Sequence, residues 1–170
     1  MRLWYPDTRS VEVYAHRIAL NMFPGYRGDI SDYSGNMLNI ARLESALGLP
    51  PQPYYHGVFE KAGALLRSMV KGHAYVDGNK RIGIATTYLF LTMNGRTLHA
   101  TNAELVAFTL RLAASDPALS HYTVGWWLRK NSYRLGDRDA LKRYSNAQIE
   151  RLNVALDAYA QAIDDDEGES

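Results

Sequence analysis

Residues 73–81 read HAYVDGNKR and run directly into IGIATTYLFLTMNG at 82–95, an apolar stretch with the period of a buried helix. Upstream, Phe59, Ala62, Leu66, Met69 and Val70 recur at helical spacing, with Lys61, Arg67 and Lys71 on the opposite face and Gly72 as the stop. Downstream, Ile82, Ala85, Leu89, Phe90 and Met93 mark a second apolar face that ends at Asn94-Gly95. The nonapeptide is therefore predicted to be the loop between two core helices. A helix beginning near Asn79 directs its first unpaired N–H groups and the positive end of its dipole at that loop.

Such a terminus is an anion site. Gly78 permits the concave backbone that a nest of N–H groups requires, Asn79 adds a side-chain donor, and Lys80 and Arg81 add charge. Several donors and two cations in one small region suit phosphate better than carboxylate. A nucleotide phosphate travels with Mg2+, a hard cation that needs oxygen ligands, and Asp77 stands next to the nest. His73 is a candidate general base for a hydroxyl entering phosphoryl or nucleotidyl transfer. Tyr75 alternates with His73 and Asp77, so its ring is expected to turn toward the core. Other readings of the same residues stay open at this point: His73 as a helix C-cap or surface residue, Lys80-Arg81 as a solvated pair, or His73 and Asp77 as direct metal ligands. The remaining histidines, His16, His56, His99 and His121, show no ligand spacing, and no Walker-type glycine loop is present.

Working outward, the chain reads as helices with few strands. Residues 10–22 form a helix with Ser10 as a plausible N-cap and Val11, Tyr14, Ile18 and Met22 on one face; 24–36 read as loop, and 37–48 as a short helix closed by Gly48. The prolines of LPPQPYYHG at 49–57 exclude a helix, force extended or turn conformations, and place Tyr54 and Tyr55 on an exposed flap. Further helices are predicted over NAELVAFTLRLAAS, capped by Thr101 or Asn102, and over TVGWWLRKNS. The last runs from Ser145, with Ile149, Leu152, Leu156, Tyr159 and Ile163 as its apolar stripe.

At 170 residues and 46% hydrophobic positions, one sizeable core is expected. No apolar run approaches the roughly 18 residues of a membrane span, so a cytoplasmic location without a membrane partner is expected. The absence of cysteine removes thiol nucleophiles, disulfides and cysteine metal sites. The net charge of +1 conceals an acidic end, DDDEGES, which holds five of the 18 acidic residues and reads as frayed or disordered. Without it the body is +6, an excess that suits an anionic partner.

HAYVDGNKR closely resembles the signature of the Fic/Doc superfamily, His-x-Phe-x-Asp/Glu-Gly-Asn-Gly/Lys-Arg, and in particular its Doc, or death-on-curing, branch with Asn-Lys-Arg. LESALGLP, FEKAGALLRSMVKGHAYVDGNKR, YLFLTMNG and TNAELVAFTLRLA resemble their Doc counterparts in order and spacing, over roughly residues 10–130. The resemblance implies an all-α Fic fold: a helical bundle with a central helix-loop-helix active site and a short extended flap, occupying residues 1–130. A helical extension at 131–163 would pack on or beside it, followed by the tail at 164–170.

The same resemblance implies the roles. His73 would activate a target hydroxyl, Asp77 hold Mg2+, Gly78 and Asn79 form the nest, Lys80 and Arg81 bind the phosphates of ATP, and Tyr54 and Tyr55 align a target segment by strand addition. Fic members commonly transfer AMP; Doc resembles a kinase that passes the γ-phosphate to elongation factor Tu and arrests translation. Lys80 stands where adenylylating members have Gly, and Ile84 where they have a second Arg, so Ser/Thr phosphorylation is favoured, with adenylylation as the alternative. Neither Glu12 nor Glu150 completes the family's inhibitory motif, so a separate antitoxin protein is expected. A non-catalytic module, touching nucleic acid through Arg129, Lys130, Arg134, Arg138, Lys142 and Arg143, ranks below the enzyme, and no direct nucleic-acid contact is expected.

Overall fold

The computed structural model describes residues 2–23, 39–75 and 78–168. The loop at 24–36, the first residues of the helix expected from 37, and Asp77 lie outside the described residues.

Among the described residues the architecture is all-α with one two-stranded ribbon, as the sequence predicts. In chain order, α1 (Thr8–Ser10), a π-helical turn (Val11–Ala15) and α2 (His16–Met22) follow one another without a break. The cap of this unit is Asp7, three residues before the expected Ser10: its carboxylate accepts from Ser10 N at 2.8 Å, and Ser10 forms the reciprocal half of a capping box. Then come α3 (Ile40–Leu47), α4 (Gly57–Lys71) and α5 (Asn79–Met93), and a strand β1 (Arg96–Leu98). The remainder is α6 (Asn102–Ala114), α7 (His121–Lys130), β2 (Ser132–Arg134), α8 (Arg138–Leu141) and α9 (Asn146–Gly168). Thr101 caps α6 through a second capping box with Glu104.

The centre is α5, which buries every residue from Ile82 to Thr92 because helices or the ribbon cover it all round. α4 and α2 pack on it from two sides and α9 from a third. α7 lies along α4 in close approach: a Cβ on Gly125 would stand 2.5 Å from the Phe59 carbonyl oxygen, and one on Gly63 would run into the His121 carbonyl. Helices meeting backbone to backbone leave no room for a side chain at the crossing. β1 and β2 pair antiparallel, with Arg96 opposite Arg134 and Leu98 opposite Ser132. The residues after 130 thus share the main core.

Four expectations are corrected. Lys61, placed on a solvated face by its charge, is only 8% exposed, and its Nζ donates to the carbonyls of Pro50 (2.6 Å) and Gln52 (3.2 Å). That staple folds 49–56 into consecutive turns, Gln52 N to Leu49 O and Tyr55 N to Gln52 O, the turn alternative of the proline reading and not the extended flap the resemblance implies. On α9 the buried face is Arg151, Leu152, Ala155 and Ala158, whereas Ile149, Leu156 and Tyr159 of the predicted stripe are exposed. The helix turns its small residues inward because they allow close approach to α2 and α5. It also runs to Gly168, through most of the segment expected to fray, since adding residues to an existing helix needs no new nucleus.

Candidate active site

The signature loop is held at consecutive peptide groups. Gly72 ends α4, and His73 follows with φ +51°, in the left-handed region that a side chain adopts at a cost of roughly 1–2 kcal/mol. Arg42 Nη1 of α3 donates to the His73 carbonyl at 3.4 Å, and Asn39 N donates to the Ala74 carbonyl at 3.1 Å. Tyr75 is gripped on both its backbone groups: its N–H donates to Asn79 Oδ1 at 3.0 Å, and Asn79 Nδ2 donates to its carbonyl at 2.8 Å. Asn79 opens α5, so this clasp closes the loop on the helix start. The imidazole of His73 is left exposed.

Beneath the loop the Tyr75 ring is 2% exposed, in the core as expected, and its hydroxyl lies 3.2 Å from His16 Nε2. Burial pushes the Tyr75 hydroxyl far above its ordinary pKa, the Glu12 carboxylate adding to the effect. Burial moves His16 the other way, lowering it to about 4, which keeps the imidazole neutral. A buried neutral His and a buried neutral Tyr share one hydrogen bond between the π-helical unit and the loop. Sequence reading missed His16, Arg42 and Asn39; nothing local marks them, because their partners lie 31 to 59 residues away.

The head of α5 is opened by Gly78, which is buried, takes φ +93° and serves as the helix N-cap. A non-glycine residue resists that conformation. No side chain caps the terminus, so the N–H groups at the head of α5 point at the loop. Lys80 is exposed and Arg81 half-buried in this first turn. Both polar groups of the Asn79 side chain are engaged by Tyr75. Among the described residues no three His, Cys, Asp or Glu side chains gather as a metal site. Tyr54 and Tyr55 precede α4 while His73 follows it, so the 15 residues of that helix, about 22 Å long, separate the expected flap from the loop. The structure does not bring them together. Tyr55 instead meets His121 edge-on at 5.0 Å.

The Fic/DOC family model matches residues 13–91, which include the loop, the helix before it and all but the last two residues of the helix after it. Residues 13–91 are similar to the Fic/DOC family. Toxin Doc of Mycolicibacterium smegmatis (strain ATCC 700084 / mc(2)155) is 48% identical over 46 residues, 27% of this chain and 35% of that protein. The alignment therefore spans about a third of that relative. No helix among the described residues is long and apolar enough to cross a membrane.

Proposed function

We propose that this Fic/Doc protein is a Doc-like toxin that transfers the γ-phosphate of ATP to a Ser or Thr hydroxyl of a target protein, elongation factor Tu by family analogy, in the cytoplasm. The observation that carries the reading is the loop itself: an exposed imidazole held at φ +51° and a left-handed Gly78 opening α5, locked together by the Asn79–Tyr75 clasp. His73 would take the proton of the incoming hydroxyl, and the α5 N-terminus with Lys80 and Arg81 would hold the phosphates. Asp77 would hold Mg2+, whose charge neutralises the phosphates when bound.

The position where an adenylylating member carries its second arginine is Ile84, fully buried in the α5 core. A triphosphate gripped without that guanidinium can present a different phosphorus to the nucleophile, which favours phosphoryl over AMP transfer. Gly78 is closer to Fic motifs than to the Ala of some Doc motifs and is neutral between the two transfers. The relative's name, Toxin Doc, supports an antitoxin partner.

The test is a pair of labelling reactions in bacterial lysate with Mg2+, using ATP labelled at the γ or the α position beside a His73→Ala control. Label from the γ position alone, lost in the control, establishes the kinase reading. Label from the α position establishes AMP transfer instead, and no label above the control in either reaction refutes transfer altogether.

A further inference from the structure

Away from the loop, α7 presents Tyr122 and Trp126, each 59% exposed, one turn apart on the face that continues into Arg129. With Phe59, Glu60 and Gly125 they line one open groove against the start of α4. Beside the groove, the Arg96 guanidinium lies over the ring of Phe59, 5.4 Å from its centre, and Lys130 lies 4.4 Å over Trp126, covering one face of the indole. Register places Arg134 opposite Arg96 on the ribbon. Burial and the nearby charges of Arg134 and Arg129 lower the pKa of Arg96. Among the described residues no carboxylate pairs with Arg96, Arg129 or Arg134. Glu60, the one acid lining the groove, accepts from His56 N at 2.7 Å. Three guanidinium groups that repel one another are stable together only at the surface and gain by meeting a polyanion.

We propose that this groove binds single-stranded nucleic acid, RNA or DNA, with bases stacking on Trp126 and Tyr122 and phosphates meeting Arg96, Arg129 and Arg134. The alternation decides between polyanions: an acidic peptide needs the cations but not two exposed ring faces in line with them, whereas a single strand offers a base and a phosphate at each step. A duplex hides its base faces and is excluded by the same reasoning. The site is independent of the phosphotransfer loop, with α4 between them. It also reaches Arg96 and the α7 rings, which the basic run at 129–143 does not reveal in sequence.

The experiment is fluorescence polarisation of a fluorescein-labelled 12-mer oligouridylate with the full chain at 50 and 200 mM NaCl, beside a duplex of the same length and a 12-residue polyglutamate. Expected is saturable binding of the single strand, weakened about five- to a hundredfold in Trp126→Ala. The salt slope should flatten by about 1.4 in the Arg129→Gln, Arg134→Gln double variant, at about 0.7 for each phosphate no longer neutralised. Both changes are at exposed positions, and an unchanged thermal midpoint confirms the fold; if Trp126→Ala lowers it, Tyr122→Ala replaces it. His73→Ala should bind as the parent does, whatever the labelling reactions show. No binding at 50 mM salt overturns the proposal, as does equal affinity for duplex. Polyglutamate binding as tightly, with Trp126→Ala without effect, also overturns it and makes the groove a seat for an acidic protein.

Discussion

At the scale of single residues, His73 and His16 are two histidines with opposite environments. His73 is exposed, so His73→Ala should abolish transfer to the target while leaving the thermal midpoint within about 1–2 °C. Equal loss of activity and of stability would show that the residue is structural. His16 is 3% exposed and neutral, its pKa lowered by burial from 6.5 to about 4. The sign follows directly: the unfolded chain binds a proton below pH 6.5 that the folded chain refuses until about pH 4. Stability therefore declines as pH falls through that window, by about 2 kcal/mol between pH 7 and 5 from this group. Urea unfolding at the two pH values should show the decline in the parent and a smaller one in His16→Gln, which cannot titrate. Identical declines would remove His16 as the cause.

At the scale of elements, periodicity located the helices, and charge misled wherever a cation reached a carbonyl. Lys61, Arg67 and Lys71 occupy the polar face of α4 by pattern, yet Lys61 binds the 49–56 turns, Arg67 Nε donates to the Leu119 carbonyl at 2.8 Å, and Lys71 Nζ to those of Ala113 and Ser115. A long stem with a donor at its tip is not committed to water, and the carbonyl it meets is set by tertiary structure. The loop was legible because its chemistry is local: Gly78 and Asn79 act within five residues of Tyr75. The turns of the flap were not, because they are held by Lys61 reaching the carbonyls of Pro50 and Gln52, a contact nothing in the local pattern marks. Likewise the 3.6-residue period of α9 fits two faces, and the choice of Ala155 and Ala158 over Leu156 and Tyr159 was made by the partner helices.

The α4–α7 crossing makes a prediction of this kind. Gly125→Ala sets a Cβ against the Phe59 backbone and should cost about 1–3 kcal/mol, a midpoint lower by roughly 3–10 °C. Gly136→Ala, with nothing within 4 Å, should leave the midpoint unchanged. Equal midpoints for the two variants in a thermal melt would contradict the close packing.

At the scale of the whole molecule, the family match ends at residue 91, but the core does not. Arg151 of α9 is 1% exposed, lies 5.0 Å over the Tyr88 ring, and donates to the carbonyls of Leu98 at 2.6 Å and Ala100 at 3.2 Å. These are groups that β1 and the turn into α6 would otherwise bury without partners. Leu152, Ala155 and Ala158 cover α2 and α5 from the same side. α2 carries His16, and His16 holds Tyr75, so α9 braces the unit beneath the loop through two intermediates. A chain ending at Lys130 keeps every signature residue, and if the remainder were padding it would fold and act as the full chain does. The packing predicts the reverse: such a chain should lose its cooperative thermal transition, bind a hydrophobic dye, and transfer no label to a target. A truncated protein that melts sharply and labels its target would show that α9 is dispensable, and that the clasp of Asn79 on Tyr75 is sufficient to hold the loop.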